Sequence, residues 1–565
     1  MPIPRCRAAK IVLVAVFVCA APVTNLQAQA GGYRIAGKVV SSTSGAPLSQ
    51  ARVTIASVQN RHETKSLVTG DDGAFAFNSL VAGKYSLEAA RRGFITSSYD
   101  AHENYSTAIV TGGDADSEHL VFRLTPQSVL TGHVFDEAAD PVRGASVSLY
   151  RQNQSSGVSL IHRIASASTD DRGTYEFAEV TAGTYFLSAY AKPWYALHPP
   201  SIQKPDGSME SPDAPQSFDV TYATTYYPDA LDSDEATPIP LRGGERLSVD
   251  MHLSPVAALH IVIRVPENER GFDMPALLKK SFDSMENITN QIMEMGEPNV
   301  TTTQVPGNLT PIGGHVVELS GIPPGKYTVF VPDNALGPGQ GALAEIDLNR
   351  NGQELTPSSG QPVSSLKFTV HIAGESKIPD QLVLALQNGE HKVVVSSRVD
   401  EKGESDFVHI PPGKYNLLAA TPSNDYAVTR IVTNGSPSKG HSLEIAAGST
   451  IEGSVTLIGG QAIVQGFAKR AGKGAPGAMI VMVPRDPESH GDLFRRDQSD
   501  LDGSFSLGTV IPGEYTIVAI ENGWDLNWSQ PGVIAHYTEK GQKVVIAAPA
   551  QEPVRLSEPV EVQPR

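Results

Sequence analysis

Asp502-Gly503-Ser504-Phe505-Ser506-Leu507-Gly508-Thr509-Val510-Ile511-Pro512-Gly513-Glu514-Tyr515 reads as a turn, a short strand, a second turn and the start of another strand. The same pattern recurs at Ala82-Gly83-Lys84-Tyr85, Ala182-Gly183-Thr184-Tyr185, Pro324-Gly325-Lys326-Tyr327 and Pro412-Gly413-Lys414-Tyr415. Counting back from each tyrosine gives one register. Five residues before it stand Leu80, Val180, Ile322, Ile410 and Val510. Eight before stand Phe77, Phe177, Leu319, Phe407 and Leu507, and ten before stand Phe75, Tyr175, Val317, Ser405 and Phe505. Positions eight and ten back differ by two, so both side chains share one face of a strand. Twelve before stand Gly73, Gly173, His315, Gly403 and Gly503, where a tight turn needs positive φ. The pattern predicts a β-hairpin that continues into a further strand. The tyrosine itself is expected to hydrogen-bond backbone across a sandwich corner.

Working outward, the first repeat opens with Ile35-Ala36-Gly37-Lys38-Val39, then Ala46-Pro47 and the alternating Ala51-x-Val53-x-Ile55. The second repeats this as Leu130-Thr131-Gly132-His133-Val134, Asp140-Pro141 and Ala145-x-Val147-x-Leu149. The expected division is a signal over 1–30, sandwiches over 31–126, 127–255, 256–361, 362–450 and 451–549, and a flexible Pro/Glu-rich tail over 550–565. The third and fourth are the most divergent. Pro275–Phe282 is expected as a strand despite its helical propensity, and Met285–Pro311 as an irregular insertion. The fifth is expected to close on Lys543-Val544-Val545-Ile546-Ala547.

Arg5, Arg7 and Lys10, the apolar run Ile11–Ala21 and Ala28-Gln29-Ala30 read as a secretory signal, which places the mature protein outside the cytoplasm. The apolar run is too short to span a bilayer. Cys6 and Cys19 both lie inside this segment, so disulfide and thiolate chemistry is not expected of the mature chain. Removing the three signal cations takes the −17 of the full chain to −20. That charge, without a basic patch, argues against nucleic acid and anionic lipid as partners.

The order Gly-x-Val, Pro, Ala-x-Val-x-Leu, Asp-Gly-x-Phe-x-Phe, Pro-Gly-x-Tyr-x-Leu resembles the carboxypeptidase regulatory-like domain. The first, second and fifth repeats carry most of the pattern; the third and fourth carry mainly its second half. The resemblance implies an all-β chain, a tandem array of about five transthyretin-like (prealbumin-like) antiparallel β-sandwiches. It also implies non-catalytic binding, scaffolding or spacing, with a carbohydrate-binding-like fold as near neighbour.

No Gly-x-Ser-x-Gly elbow, phosphate loop or dinucleotide fingerprint is present, and no catalytic residue, metal or cofactor is expected. His315-x-x-Glu318 with a distant His441 matches a zinc peptidase pattern, but His315 occupies the repeat's turn position. Asp347–Gly352 resembles half a calcium loop and lacks its closing Glu. Asp500-Leu501-Asp502-Gly503 is accounted for by the repeated turn. The 15 histidines form no close pair with ligand spacing. What the repeats do not share is two aromatic excursions. Trp194, Tyr195, Tyr222, Tyr226 and Tyr227 follow the Tyr185 strand, and Trp524 and Trp528 follow the Tyr515 strand. Trp194, Tyr195, Tyr226, Tyr227, Trp524 and Trp528 are the candidate ligand-binding residues. Exposed rings there would stack on a polysaccharide or another envelope polymer; buried rings would only fasten each loop to its own sandwich.

Overall fold

In each repeat, the strand that carries positions ten and eight back pairs with the repeat's first strand, and the strand after it pairs with the second strand instead. The computed structural model describes residues 32–60, 63–113, 115–153, 157, 160–204, 209–210, 218–265, 275–279, 282, 303–304, 308–313, 315–333, 340–375, 377–389, 393–421, 425–438, 440–460, 462–547 and 553–565. Ser504–Val510 pairs with Ala462–Arg470, whereas Arg495–Gln498 and Gly513–Ile520 both flank Met479–Pro484. The first repeat is built alike: Ala74–Leu80 pairs with Tyr33–Ser41, while Thr64–Val68 and Gly83–Ala90 flank Arg52–Ser57. In these repeats the expected hairpin is therefore corrected to two arches, whereas in the third Asn308–Gly313 pairs antiparallel with Val316–Ile322 across the His315 turn, as a hairpin. Alternating apolar residues bury one face in either case, so periodicity cannot distinguish them.

The turn chemistry matches the reading. Gly73, Gly173, Gly403 and Gly503 have positive φ, as does His315 in the third repeat (φ 64°). Asp502 Oδ1 accepts from the Ser504 amide at 2.9 Å. A Cβ on Gly503 would lie 2.3 Å from the Ala468 carbonyl oxygen, because that strand amide hydrogen-bonds Gly503 O at 2.7 Å. A bulge that the register did not predict sits six residues before each tyrosine. There Ser79, Glu179, His409, Thr509 and Gly321 adopt positive φ, and the first-strand pairing shifts register alongside.

Past the bulge, each tyrosine hydroxyl donates to the carbonyl four residues earlier. Tyr85 reaches Val81 O at 3.0 Å, Tyr185 Thr181 O at 2.7 Å, Tyr327 Pro323 O at 2.7 Å, Tyr415 Pro411 O at 2.8 Å and Tyr515 Ile511 O at 2.8 Å. Deleting one hydroxyl strands a carbonyl in the corner, which costs about 1–3 kcal/mol. Tyr515→Phe is thus expected to lower protection of the Gly513–Ile520 amides by roughly that amount, read by native-state hydrogen exchange. Unchanged protection would remove the corner bond from the energetics.

The tyrosine and the residues eight back, five back and two after it all lie in the hydrophobic cluster of their own repeat. Each repeat closes with a strand parallel to its first. These are Leu120–Leu124, Arg246–Ser248 with Met251–His252, Gln353–Leu355, Thr450–Gly459, and Val554–Arg555 with Val560–Gln563. Two expectations change as a result. Thr450–Gly459 belongs with the fourth repeat, since Val455 and Leu457 lie in its core, rather than opening the fifth. The segment expected as a flexible tail supplies the fifth repeat's closing strand, with Val560 and Val562 buried. Gln542–Ile546, read as that closure, pairs antiparallel with Gly513–Ile520 in the other sheet.

The remaining differences are local. Ala276–Lys279 is a strand, as expected. Of Met285–Pro311, residues 285–302 and 305–307 lie outside the described residues, as does the signal; Thr303–Gln304 and Asn308–Gly313 are strands. The fifth excursion contains a short α-helix, Pro531–Thr538, with Pro531 in its first turn. Among the described residues no helix is long and apolar enough to cross a membrane.

Candidate functional site

The two aromatic excursions have opposite fates. In the second repeat, Tyr222 is buried and donates to Glu137 Oε2 at 2.7 Å, and Tyr195 donates to the other oxygen of the same carboxylate. Burial alone would raise the Glu137 carboxyl, but the Tyr195 phenol, the Glu137 backbone amide and the Tyr222 phenol together offset it and hold it below its ordinary value. Desolvation, followed by the bond to this carboxylate, pushes the Tyr195 hydroxyl up to about 12. Tyr226 is buried and meets Phe282 edge-on at 5.2 Å, while Tyr227 packs half-buried on the core. Trp194 alone projects outward, 87% exposed, with Tyr195 edge-on at 84°.

In the fifth repeat, Trp524 and Trp528 are 8% and 7% exposed and lie in a cluster with Val481, Phe494, Val518 and Ile534. The expectation that they are ligand-binding rings is corrected: they are covered by protein, and part of the cover comes from the first repeat. His102 stacks on Trp524 at 5.0 Å and 6°, and Tyr105 lies 5.6 Å from it. Arg496 sits over Trp528 at 4.3 Å and Tyr105 at 5.3 Å, and its guanidinium donates to both oxygens of Glu103, at 2.6 and 3.3 Å.

Polar contacts continue along this seam. Gln498 Nε2 donates to Asp100 O at 2.6 Å and to Thr107 Oγ1 at 2.8 Å. Asp500 is ion-paired with Lys84 and accepts from the Ala108 amide at 3.0 Å, and the Leu501 amide donates to Ala108 O at 3.0 Å. The Leu501 side chain packs against the first repeat's core. Burial raises the carboxyls of Asp500 and Asp497, the latter to about 6. The repeated Asp500–Gly503 turn is thus also a docking element.

The third constellation joins the second and third repeats. His260 Nδ1 lies 3.0 Å from Glu318 Oε1 and its Nε2 3.0 Å from Asp219 Oδ2. His198 Nδ1 lies 2.9 Å from Asp219 Oδ1. Glu318 is 0% exposed and also accepts from the Ser201 amide at 2.7 Å and hydroxyl at 2.6 Å. Burial pushes His260 down, yet the bond to Glu318 and the charges of Asp219 and Glu318 leave it above its ordinary value. Burial pushes Glu318 up, yet its bonds to His260 and Ser201 leave it below. Gly321 is small for a reason, since a Cβ there would lie 2.8 Å from the His198 ring. The Ser201 hydroxyl serves Glu318 and both ring nitrogens of His260 face carboxylates, so the group does not form a nucleophile and base.

The zinc pattern of the sequence is dispersed by the fold. Glu318 belongs to this junction, whereas His441 faces His490 across the junction of the fourth and fifth repeats, rings 4.9 Å apart. The histidines do pair, but only through tertiary contact. At Asp347–Gly352 the backbone turns, and Asn351 Oδ1 accepts from the His260 amide at 2.7 Å. The sequence signal for the missed residues was slight: Glu103, His260 and Arg496 carry no local motif, and Lys84 stands at the variable position of the repeated corner.

Residues 34–125 match the model of the carboxypeptidase regulatory-like domain. Over 522 residues, 84% of this chain, the sequence is 22% identical to Colossin-A of Dictyostelium discoideum; the match spans 4% of that relative's length. Among solved structures it is similar to the Bacillus anthracis TIE protein, at 13% identity, covering 76% of this chain and 74% of that one, with a TM-score of 0.16. It is also similar to a streptococcal ancillary pilin (12%, 55% and 100%, 0.20) and to the minor pilin of Streptococcus agalactiae (12%, 40% and 96%, 0.21).

Proposed function

We propose that this is an extracytoplasmic, non-catalytic interaction protein of the cell envelope, which presents the second-repeat excursion to a protein partner. The observation that carries this reading is the exposure of Trp194. Leu197, Ile202 and Phe218 are exposed on the same excursion, an apolar display of the kind that marks contact surfaces. Its underside is held by Glu137 and by the Asp219–His260 junction. The seam between the first and fifth repeats argues against a plain spacer, because a spacer gains reach by keeping its two ends apart.

A protein partner is favoured over a polysaccharide because Trp194 and Tyr195 stand edge to face and cannot form one flat stacking platform. The second reading, sugar stacking on the single Trp194 face, rests on that same exposed ring. The test compares mature protein with Trp194→Ala on a glycan array and in crosslinking to intact envelopes. Loss of a crosslinked protein partner, with affinity down at least about tenfold as for an anchoring aromatic, supports the interaction reading. Glycan binding that Trp194→Ala abolishes would replace it with the sugar reading. Neither signal would overturn both.

A further inference from the structure

His441, His490 and Asp492 each turn one potential ligand atom inward, and these atoms all lie within 4.8 Å of one another. His441 immediately precedes the fourth-repeat strand Ser442–Ile445 and is buried; its carbonyl accepts from the Leu417 amide at 2.8 Å. His490 and Asp492 lie on the fifth-repeat turn that follows Met479–Pro484. That turn is held by the His490 amide on Asp486 O at 3.1 Å and by Arg495 Nη1 on Asp492 O at 2.9 Å. Asp492 Oδ1 is buried without a hydrogen-bond partner among the described residues, an arrangement native proteins seldom leave unsatisfied.

We propose that His441, His490 and Asp492 form a site for a divalent transition metal of the zinc type, clasping the fourth sandwich to the fifth. Two imidazoles and one carboxylate suit zinc, cobalt or nickel; calcium and magnesium prefer all-oxygen shells. In a tetrahedral shell with bonds of about 2.1 Å the donors stand about 3.4 Å apart, so donors within 4.8 Å of one another would close by up to about 1.4 Å on binding. A water would complete a tetrahedral shell. The ligands come from two repeats, so the ion would add a bond between them and stabilise the folded chain by mass action.

The test uses full-length mature protein stripped with chelator. Isothermal titration with Zn2+ should give one equivalent per chain, Ca2+ should give none, and zinc should raise the melting temperature by several degrees, reversed by EDTA. His490→Ala and Asp492→Asn lie on a partly exposed turn and should fold; each should weaken zinc binding at least tenfold while leaving the metal-free melting temperature unchanged. Co2+ bound in place of zinc should give a d–d spectrum that the double variant lacks. Zinc affinity equal in wild type and the double variant, or no binding at 100-fold molar excess, would overturn the proposal.

Discussion

Arg496→Ala should release the first sandwich from the fifth. The guanidinium is 7% exposed at its side chain and holds Glu103, while covering the rings of Trp528 and Tyr105. Removing it takes the counter-charge from Glu103, whose side chain is 23% exposed, so the cost lies between the surface-pair range of about 0–1 kcal/mol and the buried-pair range of about 3–5 kcal/mol. Lost cation–π contact adds about 1–2 kcal/mol. The rest of the seam, His102 and Tyr105 against Trp524, Leu501 in the first core, the Lys84–Asp500 pair and the Gln498 bonds, would have to hold the two sandwiches without it. Small-angle scattering should show a larger radius of gyration for the variant, and chymotrypsin should gain access to Tyr99 and Tyr105 in the 99–108 loop. Arg496→Lys keeps the charge but not the two-pronged bond, and should fall between. A scattering curve identical to wild type would sink the idea that this arginine closes the chain.

Glu318→Ala should be the most damaging single change at the junction of the second and third repeats. Glu318 is fully buried and accepts from the Ser201 amide, the Ser201 hydroxyl and His260. Without it two buried donors and a buried imidazole lose their acceptor, a loss of about 3–5 kcal/mol. Urea unfolding should show an earlier transition, and hydrogen exchange should rise in Leu259–Arg264 and Val316–Ile322 first. The same group predicts a pH window. His260 stands above its ordinary 6.5, so its contribution is complete below pH 6.5 and is lost as pH rises through the raised value. Glu318 stands below its ordinary 4.5, so its contribution is complete above pH 4.5 and is lost as pH falls through the lowered value. Wild-type junction stability should therefore peak between these two values, and Glu318→Ala should flatten the profile. A wild-type junction most stable above pH 8 would contradict the assignment.

Much of the architecture was legible because it is local. The turn glycine, the apolar pair two residues apart and the Pro/Ala-Gly-x-Tyr corner each act within a dozen residues, and the structure places them in five equivalent cores. His315 was correctly read as a turn residue on the same grounds. The partner of each strand was not legible. Gln542–Ile546 and Val560–Gln563 are both short and apolar in alternation, and nothing local says which one pairs with the first strand. The tail was misjudged because Pro and Glu around a four-residue strand dominate its composition.

The candidate site divides along the same line. Aromatic excursions could be located from the register, but exposure is a property of what packs on top. Trp194 and Trp524 follow equivalent strands; Trp524 is covered because the 99–108 loop, some 400 residues away in sequence, stacks His102 on it. The pairing of His441 with His490, of His260 with Asp219, and of Arg496 with Glu103 likewise joins different repeats. By itself the sequence determined the repeat, its turns and its core positions, since these follow from backbone conformation and alternation within a few residues. Only the tertiary structure decided which sheets the strands join, which aromatics stay in water and where charges meet. Those outcomes depend on the packing of one repeat against another, which no local periodicity encodes.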